Sequence, residues 1–543
     1  MKSTVIICLI SLFLTSCIVK TEVDTIIHNA TVYTVNGEFN IYEALAIDSG
    51  IIVAVGPEHE IMNAYQSAQT IDAKGRPIYP GFIDAHSHFL GYGLQLQRLN
   101  LVGTKSFEEV LDRVQQFIKD HDDEWITGRG WDQNDWEVKE FPSNVALDSL
   151  FPDRKIVLKR IDGHAILATS NVFELAGIND QSTVPGGRYL LNKKGLLQGI
   201  AIDEGMTAIK DVIPEPSLEQ KNRALIDAEK QCFEVGLTTV TDAGLDQYEI
   251  NLISAMQSDG ELKMREYAMY SAADSILDRV NELPLKTDRL NASSIKVYAD
   301  GALGSRGAAL LEDYTDDHGN SGLIITPADS VYKWAQVCKL NDFQFNVHCI
   351  GDRANRIVLE AMSKTLGGTN DRRWRIEHAQ VMNDADLSTF GEFNILPSMQ
   401  PTHATSDMYW AEERLGEERM KYAYAMKTLK NQNGLIALGT DFPVEDISPI
   451  KTYYASVARK DSEGYPDGGF KMTEGLTREE TLKGITIWAA IASFEDENRG
   501  SIEVGKFADL VLLDRDIMTC EEDDILSTEI LQTWNGGELV YEK

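Results

Sequence analysis

Cysteine is scarce in this chain, with six in 543 residues. Cys8 and Cys17 lie in the leading segment. Cys232, Cys338, Cys349 and Cys520 stand far apart, with no Cys-x-x-Cys spacing. That excludes a disulfide framework and a cysteine zinc site. Basic charge is also in deficit. Lys+Arg number 51 against Asp+Glu 85, a formal net charge of −34. Nucleic acid is therefore not an expected partner, because phosphates demand a basic surface. Past the N-terminus no run of about 18 apolar residues occurs, so no part of the body reads as membrane-spanning. Internal repeats, low-complexity tracts and nucleotide or phosphate loops are lacking as well. What remains, 43% hydrophobic and 25% charged residues, is a globular composition with length for two or more domains.

Residues 1–17, MKSTVIICLISLFLTSC, read as an address. One lysine precedes an apolar run from Val5 to Leu14, too short for a membrane-spanning helix. The run ends in Leu14-Thr15-Ser16-Cys17, which resembles the lipobox of bacterial lipoproteins. The resemblance implies a signal peptide over 1–17 and a mature chain that begins at a lipidated Cys17. The protein would then be exported to the cell envelope, facing the periplasm or the surface, and tied to the membrane by lipid alone. The other reading, an ordinary secretory signal cut nearby, also exports it.

Both ends of the body are β-rich. VDTIIHNATVYTVNG turns at Asn36-Gly37, YEALAIDSGIIVAVG pairs across Ser49-Gly50, and LQTWNGGELVYEK turns at Asn535-Gly536-Gly537. Residues 23–78 and 497–543 are expected to build one small β-sandwich domain together. Between them, over 79–496, strands alternate with helical patterns, the mark of an α/β fold with a parallel sheet. Capping boxes are expected at Ser106 with Glu109 and at Thr477 with Glu480. The strand words SSIKVYADG, FQFNVHCIGD, RRWRIEHAQ and GLIALGTDFP end in polar residues beside glycine or proline. That suits the catalytic rim of a (β/α)8 TIM-like barrel. Residues from about 95 to 215 exceed what two βα units need, and are expected to form an insertion near the barrel mouth.

The chemistry gathers around Arg76–Gly93, RPIYPGFIDAHSHFLGYG. Side chains two apart on a strand share a side, so His86 and His88 can lean onto one cation. Zinc accepts neutral imidazole and commonly keeps a position open for water. Four more candidate ligands stand at expected strand ends: Lys296, His348, His378 and Asp441. Each alone has a plain structural reading, as a hydrogen-bonded histidine or a turn aspartate before proline. Taken in order, His-x-His, Lys, His, His, Asp resembles the amidohydrolase superfamily. The words PGFIDAHSH, RIEHAQ, GTDFP and GSIEVGKFADLVLLD resemble it too. KVYADGALGSR, VHCIGDRAN and QPTHATSDM resemble its amidohydrolase family 3 branch, which includes N-substituted formamide deformylases.

The resemblance implies a hydrolase of a non-peptide C–N bond in a small molecule, foremost a linear, N-substituted formamide-like amide. It implies a divalent metal, zinc by preference, as one ion or two. Asp441 would be the general base, and His86, His88, Lys296, His348, His378 and Asp441 the ligands. His348 and His378 would hold a second metal, or one would hold the single metal while the other orients water. Lys296 shares a strand face with Tyr298 and Asp300. It is either carboxylated, bridging two metals, or salt-bridged to Asp300 or another carboxylate. His164, Trp131, Arg306 and His403 are expected at the substrate. Their plainer readings are a core histidine, insertion core, a rim buttress and a turn. Two rival functions stay open: cyclic-amide hydrolysis or heterocycle deamination on the same fold, and a binding lipoprotein without turnover. A homodimer is compatible with all of these.

Overall fold

In the computed structural model, which describes residues 20–121, 123–277 and 284–543, eight strands of one sheet follow one another around a barrel. They are β1 (Phe82–Ser87), β2 (Leu237–Leu245), β3 (Arg265–Ser271), β4 (Leu290–Tyr298), β5 (Gln344–Cys349), β6 (Arg375–His378), β7 (Leu396–Met399) and β8 (Ala437–Leu438). Each pairs with the next, always in parallel. The seam between β8 and β1 is closed by backbone just past β8. Asp441 N donates to His86 O at 2.7 Å and His88 N to Phe442 O at 2.8 Å. Asp84 staples the same seam, accepting from Thr440 Oγ1 at 2.7 Å and from His86 N at 3.0 Å. Gly439 is required there, because a Cβ would sit 2.5 Å from both Asp84 Oδ1 and His86 N. This is a (β/α)8 TIM-like barrel. Its strands, such as LTTVTDAGL and LNASSIKVY, are buried almost throughout, since one face fills the barrel and the other meets the helices.

The chain divides into two compact units, one running to His88 and resuming at Glu229–Lys543, the other Phe89–Ala228. In the first unit the two chain ends supply two further sheets. One orders Ile51–Gly56, Ala44–Asp48, Thr25–His28 and Gln69–Asp72. The other orders Glu538–Glu542, Ile530–Asn535, Leu510–Leu513, Pro77–Pro80, Thr31–Tyr33 and Ile41–Tyr42. The hairpins at Ser49-Gly50 (φ 51° and 78°) and Gly536-Gly537 (φ 59° and 76°) place two left-handed residues in succession. That is the type I′ geometry that matches strand twist. Ile27, Val32, Leu45, Leu510 and Trp534 share the core of these sheets. The Thr477–Glu480 capping box forms in full ahead of Arg478–Gly484.

The second unit is built on a six-stranded mixed sheet. Its order is Leu99–Asn100, Trp125–Trp131, Lys155–Arg160, Ala165–Ala168, Leu197–Asp203 and Gly187–Leu191. The helix Phe107–Asp120 lays Val110 and Val114 into its core beside Trp131, Trp136 and Leu158. Only half of the expected capping box forms there. Ser106 Oγ accepts from Glu109 N, but the Glu109 carboxylate takes the N–H of Lys105 instead of that of Ser106. The leader and Cys17 lie outside the described residues. Among the described residues no helix is long and apolar enough to cross a membrane, and the four cysteines are free thiols.

Candidate active site

The C-terminal ends of the barrel strands bring the ionisable side chains together. His86 is the penultimate residue of β1, with His88 just past the strand. Lys296 lies near the end of β4, His348 on β5 and His378 at the tip of β6, and Asp441 follows β8. His378 and Asp441 carry left-handed backbone, φ 72° and 64°. A non-glycine residue rarely adopts that conformation, and where it does the site commonly has a role. On β6, Arg375 and Glu377 alternate with Ile376 and face the barrel axis. A straight continuation would turn His378 outward, and the left-handed turn brings it back.

The geometry gathers ligand atoms without satisfying them. His88 Nε2 lies 3.3 Å and His86 Nε2 3.7 Å from Asp441 Oδ1, while His403 Nε2 is 3.3 Å from Asp441 Oδ2. The rings of His86 and His348 stand 4.7 and 4.6 Å from that of His378. Donor atoms of His86, His88 and Asp441 all fall within 4.8 Å of one another. Asp441 Oδ1 and His348 Nε2 are nonetheless buried and accept or donate no hydrogen bond. Orphaned buried polar atoms are costly, and Asp441 Oδ1 converges with the nitrogens of His86 and His88, as atoms placed for a cation do, while His348 Nε2 lies 3.7 Å from Asp300 Oδ1.

Protonation and tautomer agree with that reading. Burial first, then the Lys296 charge, pushes His86 down to about 4 and His348 down to about 3. Burial also holds His378 well below the ordinary histidine range. All three are neutral imidazoles with a lone pair to give. His86 Nδ1–H donates to Glu377 at 2.6 Å and His378 Nδ1–H to Gln400 Oε1 at 2.7 Å, which leaves the lone pair of each ring on Nε2, that of His86 facing Lys296 Nζ. Burial alone would raise the Glu377 carboxyl, but Arg375 and His86 beside it hold it far below the carboxylate range. Asp441 is likewise held ionised against burial by His403 and His88. Neutral imidazoles and one carboxylate are the donor set that a zinc-type divalent ion takes. The residues present fit such a group.

Two members behave differently. Lys296 is 1% exposed, and its Nζ lies 3.3 Å from His86 Nε2. No carboxylate of the described residues forms an ion pair with it. Burial lowers its pKa to about 8, so the neutral amine is accessible near neutrality. The salt bridge to Asp300 entertained above does not form. Asp300 accepts the N–H groups of Ala309, Ile350 and Gly351 instead. His403 is clamped between Glu445 at Nδ1 (3.1 Å) and Asp441 at Nε2. Burial works against its charge, but these two carboxylates outweigh it and raise the pKa to about 10. In this arrangement His403 serves Asp441 as a hydrogen-bond donor, and His378, His403 and Asp441 form a second group whose ligand atoms lie within 4.8 Å of one another.

These groups stand at one end of a cavity of about 370 Å3, walled by Tyr298, Leu303, Ile350, Trp410 and Val444, with Gln380, Asp407 and Glu445 as further polar lining. Two expectations are corrected. Trp131 does not line a substrate pocket. It is 1% exposed, packed with Trp136 and Phe141, and its indole N–H is spent on Leu158 O at 2.8 Å. Arg306 does not face the cavity either, because Asp316 holds its guanidinium at 3.2 and 2.9 Å. His164 belongs to the Phe89–Ala228 unit, where its side chain is 73% exposed with Nδ1 2.9 Å from Asp203. Sequence reasoning missed Glu377, Gln400, Asp407, Trp410 and Glu445. A carboxylate beside a strand-end histidine, as in RIEH, was the one signal on offer.

Comparison with known proteins follows the same line. Residues 69–541 match the amidohydrolase family. The putative amidohydrolase YtcJ of Bacillus subtilis is 30% identical over 536 residues, covering 95% of this chain and 99% of its own. An N-substituted formamide deformylase of Arthrobacter pascens is 24% identical over 549 residues, covering 96% and 98%. The crystal structure of an uncharacterized metal-dependent hydrolase from Pyrococcus furiosus superposes with a TM-score of 0.78 at 26% identity. It covers 91% of this chain and 100% of its own. The chain belongs to the amidohydrolase family, as a metal-dependent enzyme that hydrolyses carbon–nitrogen bonds other than peptide bonds in small molecules.

Proposed function

We propose that the enzyme hydrolyses a linear amide with a small acyl group, formyl first, and an alkyl or aryl substituent on nitrogen. The observation that carries this is the pairing of Asp441 Oδ1, a buried carboxylate oxygen with no hydrogen bond, with an open cavity whose wall is Trp410. The full-length similarity to the Arthrobacter formamide deformylase supports the same reading. His86, His88 and Asp441 would hold one cation, and His348 and His378 a second, with Lys296 between them if carboxylated. Such a cation, zinc by its donor preferences, supplies Lewis acidity toward a carbonyl and brings the pKa of water down to about 7.

The chain's own groups do the rest. Asp441 takes the proton of the attacking water and returns it to the amide nitrogen, so the amine leaves neutral. His403 donates to Oδ2, which keeps the lone pairs of Oδ1 turned toward the reaction. Glu377 and Gln400 fix the tautomers of His86 and His378. As a free amine, Lys296 can add CO2 with loss of one proton, giving a carbamate.

The test is a panel of linear amides, cyclic imides and aminated heterocycles, run on metal-reconstituted protein with products read by mass spectrometry. Release of a small acid and an amine from the linear amides is expected. Turnover confined to cyclic imides or heterocycles would overturn the assignment. Added bicarbonate should quicken reconstitution severalfold if Lys296 is carboxylated, whereas an intact mass showing a bare amine in the active enzyme would contradict it. For the address, we propose a lipid tether at Cys17. Native protein should partition into detergent and Cys17→Ser should not, while a mature N-terminus elsewhere would refute the tether.

A further inference from the structure

The cavity has a lopsided charge. Apart from Asp441, Lys296, Tyr298 and the histidines, its ionisable lining consists of Asp407 and Glu445, with no arginine and no second lysine. Each of these carboxylates is tied to the protein through one oxygen only. Asp407 Oδ2 accepts from Gln380 Nε2 at 2.7 Å and from Tyr424 Oη at 2.8 Å. Glu445 Oε1 accepts from His403 Nδ1 at 3.1 Å and from Ser406 Oγ at 2.6 Å. Asp407 Oδ1 and Glu445 Oε2 receive no hydrogen bond from any described residue.

The two carboxyls also feel each other. Burial, and further down the Glu445 charge, raise the pKa of Asp407 against the opposing pull of His403 and Tyr424. Two half-used acids on one wall suit a cation that donates several hydrogen bonds. An ammonium group has three donors and makes charge-assisted bonds to carboxylates. Trp410 follows Asp407 in the same turn, its backbone N–H donating to the Asp407 carbonyl at 3.0 Å, and its ring lines the cavity as an aromatic face for the carbon chain or the cation itself. A carboxylate in the same place would face two acids, offset only by the His403 cation that already bonds Glu445. That arrangement discriminates by repulsion.

We propose that the cavity selects amides whose nitrogen substituent ends in a protonated amine, held by Asp407 and Glu445 with its chain against Trp410, and rejects those ending in a carboxylate. This rests on the amide reading above and sharpens it into a substrate class.

The experiment uses the metal-reconstituted full chain and three N-formyl compounds of matched length. One ends in an ammonium group (N-formyl-1,3-diaminopropane), one in a methyl group (N-formylbutylamine) and one in a carboxylate (N-formyl-β-alanine). The order of kcat/KM should be ammonium, methyl, carboxylate. The ends should differ by about 100-fold or more, mostly in KM, and the gap should shrink as salt rises. Calorimetry should show 1,3-diaminopropane binding where propionate does not. In Asp407→Asn both the ammonium-to-carboxylate ratio and diamine binding should fall at least tenfold, and Asp407→Glu should restore most of both. Equal kcat/KM across the three charges, preference for the carboxylate, or an Asp407→Asn protein that keeps the full ratio would overturn the proposal. If no amide is cleaved but another C–N series is, the amide reading fails by itself. The same charge ratio within that series then decides the selectivity.

Discussion

His86 in the barrel unit and His164 in the Phe89–Ala228 unit are the same residue type put to opposite uses. So are Trp410 and Trp131. His86 is wholly buried with Glu377 at its Nδ1, whereas the His164 side chain is 73% exposed beside a half-exposed Asp203. Trp410 lines an open cavity, and Trp131 is sealed in a hydrophobic core with its N–H satisfied. Both histidines contact a carboxylate, and both tryptophans pack against other aromatic or cationic side chains. What separates them is whether the fold has gathered several unsatisfied ligand atoms around them. In the barrel, orphaned Asp441 Oδ1 and His348 Nε2 surround His86. Around Trp131 the surroundings are apolar, and the one orphan among its ring neighbours, Trp136 Nε1, stands alone. Several unsatisfied ligand atoms gathered among imidazoles mark a site, whereas a lone orphan in an apolar core does not.

The strongest way to break this contrast is to remove the unsatisfied base. Asp441→Asn should cost about 10³-fold or more in kcat while retaining part of the bound metal, read by steady-state kinetics beside metal analysis. A variant within a few fold of wild type would take Asp441 out of the mechanism. The tryptophan pair sharpens it next. Trp131→Ala empties a packed core position and should cost about 3–5 kcal/mol of stability by denaturant titration, with KM of the folded fraction unmoved. Trp410→Ala should do the reverse, raising KM severalfold for bulky substrates at little cost in Tm. A Trp131→Ala protein of undiminished stability would show that its core assignment is wrong. The carboxylate partners give the smallest effect. Glu377→Gln should weaken metal binding by about 10- to 100-fold, as loss of a partner that orients a ligand histidine does. Asp203→Asn should leave it unchanged. Equal metal affinity in both variants would remove Glu377 from the centre.

Much of this was legible beforehand, and the failures have physical causes. The His-x-His spacing of His86 and His88 follows from strand alternation, and the hairpin dipeptides at Ser49-Gly50 and Gly536-Gly537 state their own backbone angles. Glu377 was lost because alternation sets it on the opposite face from His378. Its contact is with His86, 291 residues away, and no local pattern shows that. The left-handed turns at His378 and Asp441 were equally invisible, since neither residue type demands them. Asp407 and Trp410 come from the helix Pro401–Asp407 and the turn after it, a segment read for His403 alone. Trp131 misled because tryptophans crowd WITGRGWDQNDW, and composition cannot tell a pocket wall from a core. The Lys296 to Asp300 ion pair does not form, and the Asp300 carboxylate instead holds the backbone N–H groups of Ala309, Ile350 and Gly351.

The central claim is that the unsatisfied strand-end groups hold a divalent ion and that His164, outside the barrel unit, does not. Metal content by mass spectrometry after chelation and zinc reconstitution, measured side by side on wild type, His86→Asn and His164→Asn, tests it most directly. One or two zinc ions per chain are expected in wild type and in His164→Asn, and a loss of at least one in His86→Asn. A His86→Asn protein that keeps its full zinc complement, or a folded wild type that takes up none, would contradict the account.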